Sequence, residues 1–125
     1  MTLLLDTQLY LWFLADSPRL KATTRQRIED ADLVLVSAAS IWEAAIKASV
    51  GKLRVEVDQL AREIESSGLA ELPVSALHAA RVASLPLHHR DPFDRLLVAQ
   101  ALEEPARLLT TDAILRPYSD LVEVV

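Results

Sequence analysis

The chain has 125 residues, near the usual size of one folding unit, and 51% of them are apolar, enough to bury a sizeable core. Eighteen acidic residues against thirteen basic ones leave a formal net charge of −5, which excludes capture of nucleic acid by bulk positive charge and requires a local basic patch for any such contact. Cysteine is absent, so disulfides and thiolate metal sites are excluded, a reducing cytoplasm is permitted, and a bound metal must sit on oxygen or imidazole.

Residues 2–5 form a short apolar run ending at Asp6, the pattern of a strand buried on both faces. Asp6 interrupts the apolar N-terminus, no basic segment precedes it and no small-residue cleavage site follows, so the segment reads as folded structure. Leu9, Trp12 and Phe13 then recur at helical spacing, and Pro18 opens a second amphipathic stretch through about Glu29. Residues 33–36 are a second β-branched apolar run, followed by a helix over 37–50 that Gly51 stops. Residues 52–57 carry no clear pattern. Residues 58–67 read as a charged helix with Leu60 and Ile64 inward and Gly68 at its end. A third strand is expected within 69–74, a helix capped by Ser75 to Ser84, and another from Asp91 to about Glu104. Leu108 and Leu109 mark a fourth strand ending near Asp112, with an edge strand over 121–125. Strands alternating with helices predict a single domain over residues 1–125, a three-layer α/β/α sandwich around a central, mainly parallel sheet. No apolar run approaches the roughly 20 residues that cross a bilayer, so no membrane association and a soluble, cytoplasmic protein are expected.

Open parallel sheets bind ligands beyond the carboxyl ends of their strands, and Asp6 and Asp112 both fall there. Glu43, early in the helix after the second strand, and Asp94, in the first turn of the helix at Pro92, can reach the same rim. Carboxylates brought within a few ångströms raise one another's pKa unless a cation intervenes. Hard oxygen ligands of this kind suit Mg²⁺ or Mn²⁺, ions that activate water and neutralise charge developing on a phosphodiester.

Each acid also has a purely structural reading. Ser40 and Glu43 match a capping box, with Glu43 reaching back to the Ser40 amide; a helix starting at Ser37 would leave Glu43 free to face the site. The spacing leaves both open. Asp91 before Pro92 has the form of an N-cap, and Asp94 could merely complement the helix dipole. Asp6 and Asp112 could be simple caps too.

Four segments weigh together: Leu3-Leu-Leu-Asp-Thr7, Ser37-Ala-Ala-Ser-Ile-Trp-Glu-Ala-Ala-Ile-Lys47, His89-Arg-Asp-Pro-Phe-Asp-Arg-Leu-Leu-Val-Ala-Gln100 and Leu109-Thr-Thr-Asp112. In this order they resemble the PIN-domain family, most closely the VapC-type toxins of type II toxin-antitoxin systems, over essentially the whole chain. The resemblance implies that Asp6, Glu43, Asp94 and Asp112 are the catalytic, metal-binding acids. It implies that Thr110 orders the last acid, with Thr7 in a similar supporting role, and that Asp91 stands outside the set. It further implies an endoribonuclease that cleaves RNA by a water activated by Mg²⁺ or Mn²⁺, with no covalent enzyme intermediate. The implied partners are an RNA substrate, a second copy in a homodimer and a cognate antitoxin protein, through which alone operator DNA is reached.

His88, His89, Arg90, Arg95 and Lys47 lie close to these acids in sequence and form a basic fringe that could steer phosphate. The competing reading has Glu43 and Lys47 as an ordinary helix pair and the two histidines as solvated loop residues. Arg95 stays outside the catalytic set. Trp12, Phe13 and Trp42 could stack on bases, but their helical spacing favours core or oligomer packing. Tyr10 and Trp12 could instead form an exposed apolar patch for a partner. Two other functions fit a small acidic α/β chain. One is a non-catalytic PIN-like interaction module, disfavoured by the complete acidic set. The other is a phosphate-accepting receiver domain, disfavoured because Ser37 stands where an acceptor Asp is expected and no Lys follows Leu109 at the strand end.

Overall fold

A computed structural model describes all residues, 1–125. Strand β1 (Thr2–Leu5) is followed by helices α1 (Thr7–Leu14) and α2 (Ala22–Asp30), strand β2 (Leu33–Ser37), and helices α3 (Ala38–Ser49) and α4 (Val57–Ser66). Strand β3 (Ala70–Leu72), helices α5 (Ala76–Arg81) and α6 (Pro92–Glu103) and strands β4 (Arg107–Thr110) and β5 (Val122–Val124) complete the chain. Short 3₁₀ turns cover Val82–Ser84 and Ala113–Tyr118.

The five strands lie in the order β3-β2-β1-β4-β5, every neighbouring pair parallel. The strand pleat sorts the core into two layers. Leu3, Leu5, Val34, Val36 and Leu109 face one side, packing with Leu9 and Tyr10 of α1, Ile28 of α2, Ala44 of α3 and Leu60 and Ile64 of α4. Leu4, Leu35, Leu72, Leu108 and Val122 face the other, against Leu97, Val98 and Ala101 of α6 and Leu115. This is the three-layer sandwich expected from the apolar strands, with every strand parallel. No helix is long and apolar enough to cross a membrane.

Two helix stops follow the same local chemistry. Gly51 and Gly68 have φ of 76° and 87°, and each closes a helix by the same pair of backbone bonds. The Lys52 amide donates to Lys47 O (2.8 Å) and Gly51 to Ala48 O (3.2 Å), while Leu69 donates to Ile64 O (3.0 Å) and Gly68 to Glu65 O (3.0 Å). Other boundaries differ from expectation. Helix α2 starts at Ala22 rather than Pro18, because Ser17 builds a turn of its own: its Oγ accepts from Arg19 N (3.2 Å) and its carbonyl from Leu20 N (3.1 Å). Residues 52–56 are irregular, and β3 keeps only three of the six residues allotted to it. The 3₁₀ turn over Ala113–Tyr118 carries no helical periodicity and was not expected.

Strand order also locates the site. The chain runs outward from β1 through β2 to β3 and then returns to the far side of β1 with β4, so the order reverses at β1. A crevice forms at the carboxyl end of such a switch point, and Asp6 follows the last residue of β1. Leu4 is fully buried in this central strand. Leu4→Ala is expected to lower unfolding free energy in urea by about 2–5 kcal/mol; a loss under about 1 kcal/mol would contradict a close-packed layer there.

Candidate active site

Asp6 is 6% exposed and fixed through both oxygens. Its Oδ1 accepts from the Leu9 amide (2.7 Å), capping α1; its Oδ2 accepts from Thr110 Oγ1 (2.8 Å) and the Thr111 amide (3.1 Å) of the β4 end. The cap reading and the site reading of Asp6 therefore both hold. Burial pushes its carboxyl above the usual carboxylate range; these three hydrogen bonds pull it down, and the charge of Glu43 pushes it further up.

Ser37, not Ser40, caps α3, accepting from the Ala39 amide (3.0 Å). Glu43 is thereby released from the capping box and is buried facing α1. Its Oε1 accepts from Thr7 Oγ1 (2.7 Å), and its Oε2 pairs with Lys47 Nζ (2.9 Å). Thr7 Oγ1 also lies 2.9 Å from Ser40 Oγ. A carboxylate can only accept, so Thr7 gives its single proton to Glu43 and takes one from Ser40. Thr110 acts likewise at the other wall: it donates to Asp6 and accepts from the Asp112 amide (3.1 Å). Thr110, expected to order the last acid, thus bonds the carboxylate of the first and only the backbone amide of Asp112, while Thr7 contacts Glu43.

Asp91 caps α6 through Phe93 N (2.8 Å) and Asp94 N (3.3 Å), with Pro92 in the first turn. Asp94 follows on that turn, and Asp112 caps the 3₁₀ turn through Ile114 N (3.0 Å). Burial pushes the Asp94 carboxyl up to about 6; the like charge of Asp91 adds to this, the hydrogen bond from His89 opposes it, and Glu43 raises it further. Asp6, Glu43, Asp94 and Asp112 all line one cleft of about 300 Å³, whose wall also includes Thr7, Lys47, Lys52 and Asp91. All four predicted acids are brought together, and Asp91 joins the wall while serving as a cap.

His89, which the sequence left open between a phosphate-steering fringe and a solvated loop residue, contacts the acids. Its Nε2 lies 3.0 Å from Asp94 Oδ2 and 3.5 Å from Asp112 Oδ2, so it spans the two less buried acids. The three side chains offer ligand atoms within 4.8 Å of one another. Tyr118 aims the loop, its hydroxyl accepting from the amides of His88 (3.1 Å) and His89 (3.0 Å) and from Arg95 (3.1 Å). The sequence signals for His89 were its place at the head of the His89–Gln100 segment and in the basic fringe before the Asp91 cap. Arg95 points away from the acids, onto the carbonyls of Pro86 (3.0 Å) and Val82 (3.2 Å). His88 stacks edgewise on Tyr118, with ring centroids 4.9 Å apart. Of the proposed basic fringe, Lys47 alone lines the cleft, together with Lys52, which was not singled out.

The aromatic residues divide. Tyr10 is buried, its hydroxyl donating to Leu60 O (2.6 Å), so it forms no exposed patch. Trp12 and Phe13 pack partly buried against the core, as their spacing favours. Trp42 is 62% exposed, meeting Phe93 edge-on at 5.0 Å.

The donor set is suited to a hard divalent cation. Four carboxylates supply oxygen, an imidazole lies beside two of them, and burial and mutual repulsion disfavour the charged forms of Asp6 and Asp94 when no cation offsets them. The family model described as PIN domain matches residues 3–121 of the chain. The chain belongs to the PIN domain family. Ribonuclease VapC22 of Mycobacterium tuberculosis (strain ATCC 25618 / H37Rv) is 34% identical to this PIN chain, covering 94% of it and 92% of the relative. Among solved structures, VapBC2 from Rickettsia felis, bound to a DNA fragment from its promoter, superposes with TM-score 0.73 at 18% identity, covering 99% of this chain and 98% of the other. A toxin-antitoxin complex from Klebsiella pneumoniae gives TM-score 0.66 at 18% identity over 97% of this chain and 95% of its own. These two likenesses are to the fold, and they match its five-stranded parallel sheet.

The raised Asp94 value fixes a sign for pH dependence. Its folded value lies above the usual 3.8, so its contribution to stability is complete below about pH 4 and is lost as pH rises through about 6. In chelator, Asp94→Asn should therefore be more stable than the parent at pH 7.5, by on the order of 1–3 kcal/mol, and melt at a higher temperature, with the gap closing near pH 4. Equal melting curves at both pH values would contradict the buried, repelled carboxylate.

Proposed function

We propose that the protein is a divalent-metal-dependent endoribonuclease, the toxin of a type II toxin-antitoxin pair, with residues 1–125 working as one nuclease unit. The observation that carries this reading is the gathering of Asp6, Glu43, Asp94 and Asp112 in one cleft at the switch point of a PIN sheet. The likeness to a ribonuclease over nearly the full chain supports RNA as substrate. Asp6, Glu43, Asp94 and Asp112 would hold Mg²⁺ or Mn²⁺, which when bound supplies charge neutralisation at the phosphodiester and a lowered pKa for water.

The chain's own residues supply orientation. Thr110 and the Thr111 amide fix Asp6 from β4, so the first acid cannot rotate away from the cleft. Thr7 and Lys47 fix one oxygen each of Glu43. Asp91 sets the first turn of α6 and thereby aims Asp94, while His89 holds the spacing between Asp94 and Asp112. Groups positioned this way need little rearrangement as charge develops on the substrate. No nucleophilic side chain is required, since water attacks and no covalent enzyme intermediate forms. The partners of this reading are a cognate antitoxin, a second copy in a homodimer and operator DNA reached through the antitoxin, in the cytoplasm. Antitoxin complexes among the structural neighbours support the first of these.

With Mg²⁺ or Mn²⁺ the purified protein should cleave single-stranded RNA, and excess chelator should stop it. Asp6→Asn and Asp94→Asn should remove cleavage while keeping the far-ultraviolet circular dichroism of the parent; full activity in either variant would overturn the reading. Thr110→Val, which keeps the shape but not the hydroxyl, should weaken Mn²⁺ binding about 10–100-fold in titration calorimetry.

A further inference from the structure

The two glycine-closed helix ends are built alike, yet they carry opposite chemistry. In this closure the residue three before the cap and the second residue beyond it come together, and an apolar pair normally fills the contact. The α4 end obeys: Ile64 and Leu69 occupy these places, and both are buried in the core. At the α3 end the same places hold Lys47 and Lys52. Two like charges replace an apolar contact, an arrangement that local stability does not favour.

Both lysines line the acidic cleft. Lys47 is tied to Glu43 at 2.9 Å, and the neighbouring acids hold its ammonium firmly charged, the bond to Glu43 contributing most. Lys52 is exposed and forms no ion pair with a carboxylate, so its charge is available to an incoming anion. The protein as a whole is acidic, and the cleft wall carries five carboxylates, so an RNA phosphate needs a local cation to approach it.

We propose that Lys52, backed by Lys47, is a substrate-positioning cation that binds an RNA backbone phosphate at the cleft mouth, with Gly51 setting its place. This inference rests on the ribonuclease reading and adds to it a residue outside the acidic set. The positive φ of Gly51 is its structural basis, since it turns the backbone so that the Lys52 amide reaches Lys47 O.

The test measures binding of a fluorescent single-stranded RNA to the Asp94→Asn protein, with and without Lys52→Gln, over a range of salt. Loss of one charged phosphate contact should raise Kd about tenfold and make the slope of log K against log salt shallower by about 0.7. Lys52→Arg should restore binding to within about threefold of the Asp94→Asn parent, and Lys21→Gln, a charge change on an exposed residue outside the cleft, should leave both quantities unchanged. Gly51→Ala, strained at this φ, should weaken binding in the same direction as Lys52→Gln. An unaltered Kd and salt slope for Lys52→Gln, while the wild-type protein still cleaves RNA, would overturn the role of Lys52 and leave the nuclease reading standing. A wild-type protein that cleaves no RNA with Mg²⁺ or Mn²⁺ would instead remove the nuclease reading, and this inference with it.

Discussion

A carboxylate held at 6% exposure against the carboxyl ends of β1 and β4 is the constraint on which the rest of this structure turns. Burying Asp6 disfavours its charge, and three hydrogen bonds answer only part of that penalty, since its pKa remains raised. Those bonds join three elements at one point: the first turn of α1, the last residue of β4 and the backbone just beyond it. The acid is thus a structural joint and an electrostatic liability together.

The surrounding acids share that double character. Asp6, Asp91 and Asp112 cap helical turns, and the amides at such ends offset part of their charge. Capping aims each carboxylate with backbone precision, which flexible loops would not provide. It leaves a surplus of negative charge in a small cleft. Lys47 offsets some of it beside Glu43, and His89 offers a hydrogen-bonding nitrogen between Asp94 and Asp112. A divalent cation would offset the remainder and convert a repulsive cluster into a chelating one.

Elements whose residues act locally were readable in the sequence. The apolar runs at β1, β2 and β4 mark doubly buried strands, and Gly51 and Gly68 end α3 and α4 because a positive φ is needed there. The four acids were legible through strand ends and motif order. Contacts made across the fold were harder. Whether Ser37 or Ser40 capped α3 was undecidable from spacing, and the answer depends on Thr7, more than thirty residues away, receiving the Ser40 proton and holding Glu43. His89 does lie in a loop, and its span from Asp94 to Asp112 was hidden because Asp112 and the Tyr118 hydroxyl that aims it both come from beyond β4. The sequence left an exposed patch open for Tyr10, an alternative closed only when α4 supplied the Leu60 carbonyl for its hydroxyl. Lys52 lay in an unpatterned stretch and gained meaning only when the α3 closure placed it at the cleft.

Anomalous diffraction from crystals soaked in Mn²⁺ decides whether these acids form a divalent-ion site. A manganese peak is expected within the cleft at coordination distance from carboxylate oxygens of Asp6 and Asp94, and it should be lost in crystals of Asp94→Asn. A fully soaked crystal with no peak in the cleft, or with manganese bound only to acids elsewhere on the surface, would contradict such a site.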